Sequence, residues 1–237
     1  MAQYQLLNNI AHKNLRIIKR RGAELGDAVG GSVVYPTEFN EIHKHYPILF
    51  QAAENGGWLT IALFGFEMNE NLFLSGDEWL VPYIPAVIER EPFIIGMQER
   101  TSGNVEPVIH IDMDSPRISK NDEGESVFLP FGGNSPFLDR MADVLSVVHE
   151  GVAENARMLA EFKRLDLIEN ITLDIEFSGG MHYKNNYYAT VSKEKLMKLP
   201  DAEVVNLHRS GILRYAYLII GSITNIQQMV DIKNSRL

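Results

Sequence analysis

The chain has 237 residues, enough for one large domain or two small ones, and its 45% hydrophobic and 22% charged content is that of a folded protein rather than a disordered one. Thirty-one acidic against 22 basic side chains give a net charge of −9, a field that repels phosphate backbones and anionic lipid, so nucleic acid is not an expected partner. The absence of cysteine removes disulfides, thiolate metal sites and cysteine nucleophiles together.

The N-terminal run MAQYQLLNNIAHKNLRIIKRR lacks an apolar stretch followed by a small-residue cleavage site, so no classical export is expected and the reading is a soluble, cytoplasmic protein. The longest apolar run near the other end, Tyr215 to Gly221, is far short of the roughly 20 residues that span a bilayer. Residues 1–31 read as a polar arm and linker. They carry the basic cluster Lys13, Arg16, Lys19, Arg20 and Arg21, then a glycine-rich GAELGDAVGG that has neither a preceding strand nor the spacing of a dinucleotide fingerprint. Residues 32–237 then read as a single domain.

Ser32 to Tyr35 is short and β-branched, and Pro36-Thr37 predicts a helix over Glu38 to His45 with Thr37 as N-cap and Glu41 near the capping-box position. Pro47 stops it. Trp58 to Phe66 alternates as a strand, Asn71 to Leu74 is strand-like, and the two are expected to form a hairpin before a turn at Ser75-Gly76-Asp77. Pro82, Pro85 and Pro92 remove backbone donors, so Leu80 to Pro92 reads as a turn plus a short helix, followed by strands at Phe93 to Met97 and Val105 to Asp112.

The second half is more helical. Pro136 to Leu165 holds apolar residues at helical spacing for about seven turns, with Gly151 a candidate break into two helices. Ile171 to Phe177 alternates as a strand with one wet face, Gly179-Gly180 turns into a strand over Tyr187 to Val191, and Ser192 caps a short helix ended by Pro200. A long C-terminal helix spans roughly Ala202 to Lys233, adjusted at Gly211 and Gly221, and offers a face for a homodimer. Strands interspersed with helices at irregular spacing predict an α+β fold with a mixed or antiparallel sheet.

The run ENLFLSGDEWLVPYIPAVIEREPF, followed by IDMDSPRIS, ESVFLPFGG and the C-terminal VSKEKLMKLPDAEVVNLHRSGILRYAYLIIGSITNIQQM, resembles the bacterial SapC family over nearly the whole chain from about Val33. Glu89-Arg90-Glu91 stands where the family usually shows consecutive arginines. The resemblance implies an accessory or binding protein tied to a bacterial surface layer, or to gene neighbourhoods of flavin-dependent halogenases and outer-membrane receptors, and it implies no assayed chemistry.

Among the residues themselves, the sharpest catalytic candidate is His110-Ile111-Asp112, because side chains two apart on a strand share a face and HxD supplies two ligands of the Fe(II)/2-oxoglutarate oxygenase triad. His149, His182 or His208 would have to supply the third, with Arg209 or Arg214 to hold a carboxylate. His43 and His45 face apart on a helix. Ser75, Ser102 and Ser178 sit near glycine but outside a nucleophile elbow, and Asp112, Asp114, Asp122, Glu123 and Glu125 lack cation-loop spacing. The aromatic group Tyr46, Trp58, Phe73, Trp79, Tyr83 and Phe93 reads first as core and turn-shaping residues; with Asn71 and Arg90 at its rim it is also the candidate pocket for a peptide, a sugar or an aromatic small molecule. The favoured reading is therefore a binding or assembly module for a protein, peptide or small molecule, without a cofactor; the alternative is the oxygenase.

Overall fold

In the computed structural model, which describes residues 3–54, 56–99, 103 and 105–237, the chain runs in order through β1 (Tyr4–Leu6), β2 (Arg16–Ile17), β3 (Gly31–Val33), α1 (Phe39–Ile42), β4 (Ile48–Ala52), β5 (Trp58–Leu63), β6 (Leu74–Ser75) and β7 (Glu78–Trp79). It continues through α2 (Ala86–Glu89), β8 (Phe93–Glu99), β9 (Val105–Asp112), β10 (Glu125–Ser126), α3 (Pro136–Arg164), β11 (Ile168–Glu176) and β12 (His182–Val191). It ends in α4 (Lys193–Met197), α5 (Asp201–Arg209), α6 (Leu213–Ser222) and α7 (Asn225–Ser235). All strand pairing is antiparallel, so the fold is α+β as the sequence predicts.

The chain divides into two units. The first comprises Met1–Ala28, Leu74–Leu80 and Ala86–His149. Its three-stranded sheet has the order β1-β9-β8, and Phe93 and Ile111 from the sheet share an apolar core with Ile17, Val127, Phe128 and, from α3, Leu138, Met141 and Leu145. The spacing of those three α3 residues places them on one helical stripe.

The residues read as a polar arm contribute two strands to this unit. Tyr4–Leu6 pairs with Leu6 opposite His110, and β2 pairs with β10. The physical reason lies in Asp27, inside the glycine-rich run. Its carboxylate is buried, accepts the Gly22 N–H at 2.9 Å, and is held by the equally buried Arg117 at 2.6 Å, with Arg21 at 3.5 Å. A charge taken out of water needs such partners. Arg117 also donates to the carbonyls of Ile18 and Arg20, which ties the N-terminal run to the DSPR segment of the resemblance. The arginines of the basic cluster are engaged within the unit: Arg16 donates to Gly124 O and Ser126 Oγ, Arg20 pairs with Glu24 and Glu123, and Arg21 faces Asp27.

The second unit comprises Val29–Phe73, Val81–Pro85 and Glu150–Leu237. Its five-stranded sheet has the order β11-β12-β4-β5-β3, leaving β3 and β11 as edges. The face carrying Ile48, Phe50, Thr60 and Ala62 is fully buried, with the Phe50 ring 6.3 Å from Phe162 of α3, Thr60 bonded to Asn155, and the Ile48 N–H donated to Ser222 of α6.

Three local expectations change. The helix after Pro36 is a 3-10 turn leading into the four-residue α1, and its start is capped by Glu38 accepting the Tyr35 N–H rather than by Thr37 and Glu41. Strand β5 pairs with β3 and β4, whereas Leu74–Ser75 pairs with Glu78–Trp79; the expected hairpin is reduced to the Leu72 N–H bonding Phe64 O. Gly151 does not break α3, because its missing side chain makes room for the Tyr35 and Thr37 side chains. The C-terminal helical stretch is present as expected and runs as α5, α6 and α7, with the expected adjustment at Gly211, whose φ of 77° separates the first two.

Candidate functional site

The eight aromatic and rim residues are shared between the units. In the second, Tyr46 is buried with its ring 4.8 Å from Phe73 and 5.2 Å from Phe64, both edge-on, and its hydroxyl donates to Tyr83 O at 2.6 Å. Asn71 accepts the Phe73 N–H at 2.9 Å, the Tyr83 hydroxyl donates to Glu38 at 3.0 Å, and Trp58 tilts against Phe50 at 6.5 Å. Tyr46, Asn71, Phe73 and Tyr83 are thus brought together, as a packed network. Trp79, Arg90 and Phe93 belong to the first unit, where Trp79 pairs with Leu74 in a short hairpin, Arg90 donates to Phe93 O at 2.6 Å and Phe93 lies in the core.

The oxygenase alternative lacks its centre. Asp112 Oδ1 accepts the N–H groups of Gln3 and Asp114, each at 3.0 Å, and so closes the end of β9. His110 lies over Gly96 of β8, where a Cβ would overlap its ring. Among the described residues no three histidines or carboxylates come together to hold a metal ion, so His149, His182 and His208 do not complete a triad, and neither His43 with His45 nor the acidic loop forms a cation site. Ser75 is an exposed residue of β6, Ser178 an exposed residue of a 3-10 turn, and Ser102 lies outside the described residues.

A different surface has the form of a site. The face of the five-stranded sheet opposite the helices carries an open concavity of about 530 Å³. Its floor is Val33, Leu59, Ile61 and Leu63. Phe66, Glu67 and Met68 wall one side, and Gln51, Tyr183, Asn185 and Tyr188 supply the polar rim. None of the eight residues singled out in the sequence lines it.

Local chemistry explains each contribution. Leu59, Ile61 and Leu63 alternate with Thr60 and Ala62, so one face of β5 meets helices and the other floors the concavity. In β12, strict alternation would put Tyr183 and Asn185 on the face opposite Tyr188. The pairing Ile171↔Tyr188 and Leu173↔Asn185 sets two β12 residues, Asn186 and Tyr187, against one of β11, and this bulge brings Tyr188 round to the face of Tyr183. Asn185 holds the bulge by accepting the Tyr187 N–H at 2.8 Å. Gly31 is required because a Cβ there would stand 2.8 Å from Ala62 O.

Burial pushes the Tyr188 phenol up to about 12, reinforced by the neighbouring Tyr183, whose own ionisation is raised by burial. Both are neutral hydroxyls at physiological pH, able to donate and accept. Glu67 is paired with Lys233 at 2.9 Å, and Ser32, on the same strand as Val33, gives its hydroxyl to Val33 O. The surface therefore offers apolar area plus neutral polar groups, an arrangement for holding a ligand. A smaller depression of about 320 Å³ lies at His208, Gly211, Leu213, Arg214 and Tyr217, where Arg214 stacks 4.7 Å over Tyr215 and bonds its hydroxyl.

No helix among the described residues is long and apolar enough to cross a membrane. No curated protein and no solved structure matches the chain. The family model SapC matches residues 7–229, spanning both units and both the signature block and the concavity, and the chain belongs to the SapC family.

Proposed function

We propose that this SapC-family protein is a binding module rather than a catalyst, and that its ligand sits on the sheet face floored by Leu59, Ile61 and Leu63. The observation that carries this reading is the convergence of Gln51, Tyr183, Asn185 and Tyr188 round an apolar floor on which Leu59 is exposed, on a sheet whose other face is filled. The bulge sets Tyr188 beside Tyr183 on one face, which gives a ligand site a paired set of donors and acceptors. In the cell the module would act as a cytoplasmic accessory component of a surface-layer, halogenase or receptor system. Self-association through the C-terminal helices belongs to the same reading; light scattering at a dimer mass supports it and a monomer mass removes it.

The test is a fragment screen by NMR on methyl-labelled protein, using small aromatics, disaccharides and short peptides as probes. The expected result is that hits shift the methyls of Leu59, Ile61 and Leu63, and that Leu59→Arg, at a position 41% exposed, suppresses them without unfolding the protein. Hits that shift only methyls elsewhere, or that bind Leu59→Arg equally well, would overturn the assignment.

A further inference from the structure

The concavity ends at an unfinished sheet edge, and this identifies the class of ligand. In the β3–β5 pair the Val34 N–H bonds Thr60 O and the Phe64 N–H bonds Gly30 O, each at 2.8–2.9 Å. In an antiparallel ladder bonded and non-bonded pairs alternate, so with Ser32 opposite Ala62 the groups facing β5 are those of residues 30, 32 and 34. Those of Gly31 and Val33 point off the edge. Among the described residues neither N–H has a partner, nor does Gly31 O; Val33 O takes the hydroxyl of Ser32. The same two residues line the concavity, together with Val29 and Gly30 leading into the strand.

Two features of the edge make it a receptor. Gly31 adds no side chain of its own to the rim of the concavity, which it lines together with Leu63 and Phe66. The strand lacks a lysine, proline or bulge of the kind that blunts a sheet edge; its only guard is its three-residue length. A strand laid along β3 places every second side chain on the concave face. One of these, opposite or next to Gly31, would reach the concavity lined by Leu63, Ile61, Tyr183, Asn185 and Tyr188.

Building on the binding reading above, we propose that the ligand is a short extended peptide segment that adds as a strand to β3, anchored by one large apolar or aromatic side chain in the concavity. Main-chain bonds to Gly31 and Val33 supply register, and the floor supplies selection. The net charge of −9 favours segments with lysine or arginine flanking the anchor over acidic ones.

The experiment selects linear peptides from a random phage-displayed library on the full-length chain and measures the tightest by calorimetry. The expected peptides share one large apolar residue, lack acidic residues beside it, and slow the exchange of the Gly31 and Val33 amide protons. N-methylation of the peptide at the residue bonded to β3 is expected to weaken binding about tenfold or more, while N-methylation at the next residue leaves it unchanged. Val33→Pro, which deletes an outward N–H on an edge strand, is expected to weaken binding similarly, and the peptide series keeps the test decisive should that variant fold poorly. Selection of no linear peptide, or binding indifferent to both N-methyl positions with unchanged Gly31 and Val33 exchange, would overturn the proposal. In either case fragments bound at Leu59, Ile61 and Leu63 would leave the broader binding reading standing.

Discussion

In the unit built round the β1-β9-β8 sheet, the deepest polar contact is an ion pair, Asp27 with Arg117, both side chains under 5% exposed. In the unit built round the five-stranded sheet, the buried carboxylate of Glu38 is held by neutral donors, the Tyr35 N–H and the Tyr83 hydroxyl, and most other deep contacts are neutral too: Thr60 with Asn155, Ser222 with the Ile48 N–H, and the Tyr46 hydroxyl with Tyr83 O. The difference teaches where each region is vulnerable. A buried ion pair contributes little over an apolar replacement of both partners, yet removal of one partner strands a charge in a poor solvent. Neutral contacts fail by smaller steps, because a lost hydroxyl leaves one unsatisfied group.

Breaking the pair should give the largest effect. Arg117→Met removes the buried guanidinium that faces Asp27 at 2.6 Å and is expected to cost about 3–5 kcal/mol by urea denaturation; Asp27→Leu added to it should recover part of the loss. A cost near zero for the single change would remove the contrast between the units. Next comes a glycine. Gly→Ala inside a helix ordinarily stabilises by up to about 1 kcal/mol, but Gly151→Ala sets a Cβ against the Tyr35 side chain and is expected to destabilise by about 1–3 kcal/mol. A stabilised variant would mean that Tyr35 can move away.

A smaller effect is expected from Tyr46→Phe, which keeps the ring contacts with Phe64 and Phe73 but removes the hydroxyl hydrogen bond to Tyr83 O, at a cost of about 1 kcal/mol. The smallest effect at neutral pH belongs to Tyr188. Its phenol ionises near 10 when unfolded and is pushed up to about 12 in the fold, so the folded state binds the extra proton in that interval. Stability is therefore unaffected below about pH 10 and falls as pH rises toward 12. Tyr188→Phe should remove a late-ionising tyrosine from an ultraviolet titration and flatten that fall; an unchanged titration would show that Tyr188 is not held against Tyr183.

The sequence made the α+β class legible, because Val105–Asp112, Ile171–Phe177 and the Pro136–Leu165 stripe carry periodicities that tertiary structure did not override. It also made the family legible, through rare residues over distance. Strand β4 escaped because Pro47 read as a stop and its first three residues are buried without alternation, which is how a central strand looks. The N-terminal strands escaped because β1 and β2 are only three and two residues long, and their placement depends on an ion pair formed across ninety positions.

The candidate site was illegible for a sharper reason. Conspicuous residues such as Trp79, Phe93 and Tyr46 do architectural work, while the concavity is made of ordinary leucines and isoleucines plus tyrosines whose common face depends on a bulge. The pair Tyr187-Tyr188 at the point where alternation fails in HYKNNYYATV was the only signal available, and it has meaning only once the register with β11 is known.

The most direct test of the central claim is a crystal structure of the full chain with the tightest fragment from the NMR screen. The account requires the fragment over Ile61 and Leu63, with its polar group within hydrogen-bond reach of Tyr183, Asn185 or Tyr188. A fragment seated instead against Trp79, Arg90 and Phe93 would return the site to the signature block and contradict the account.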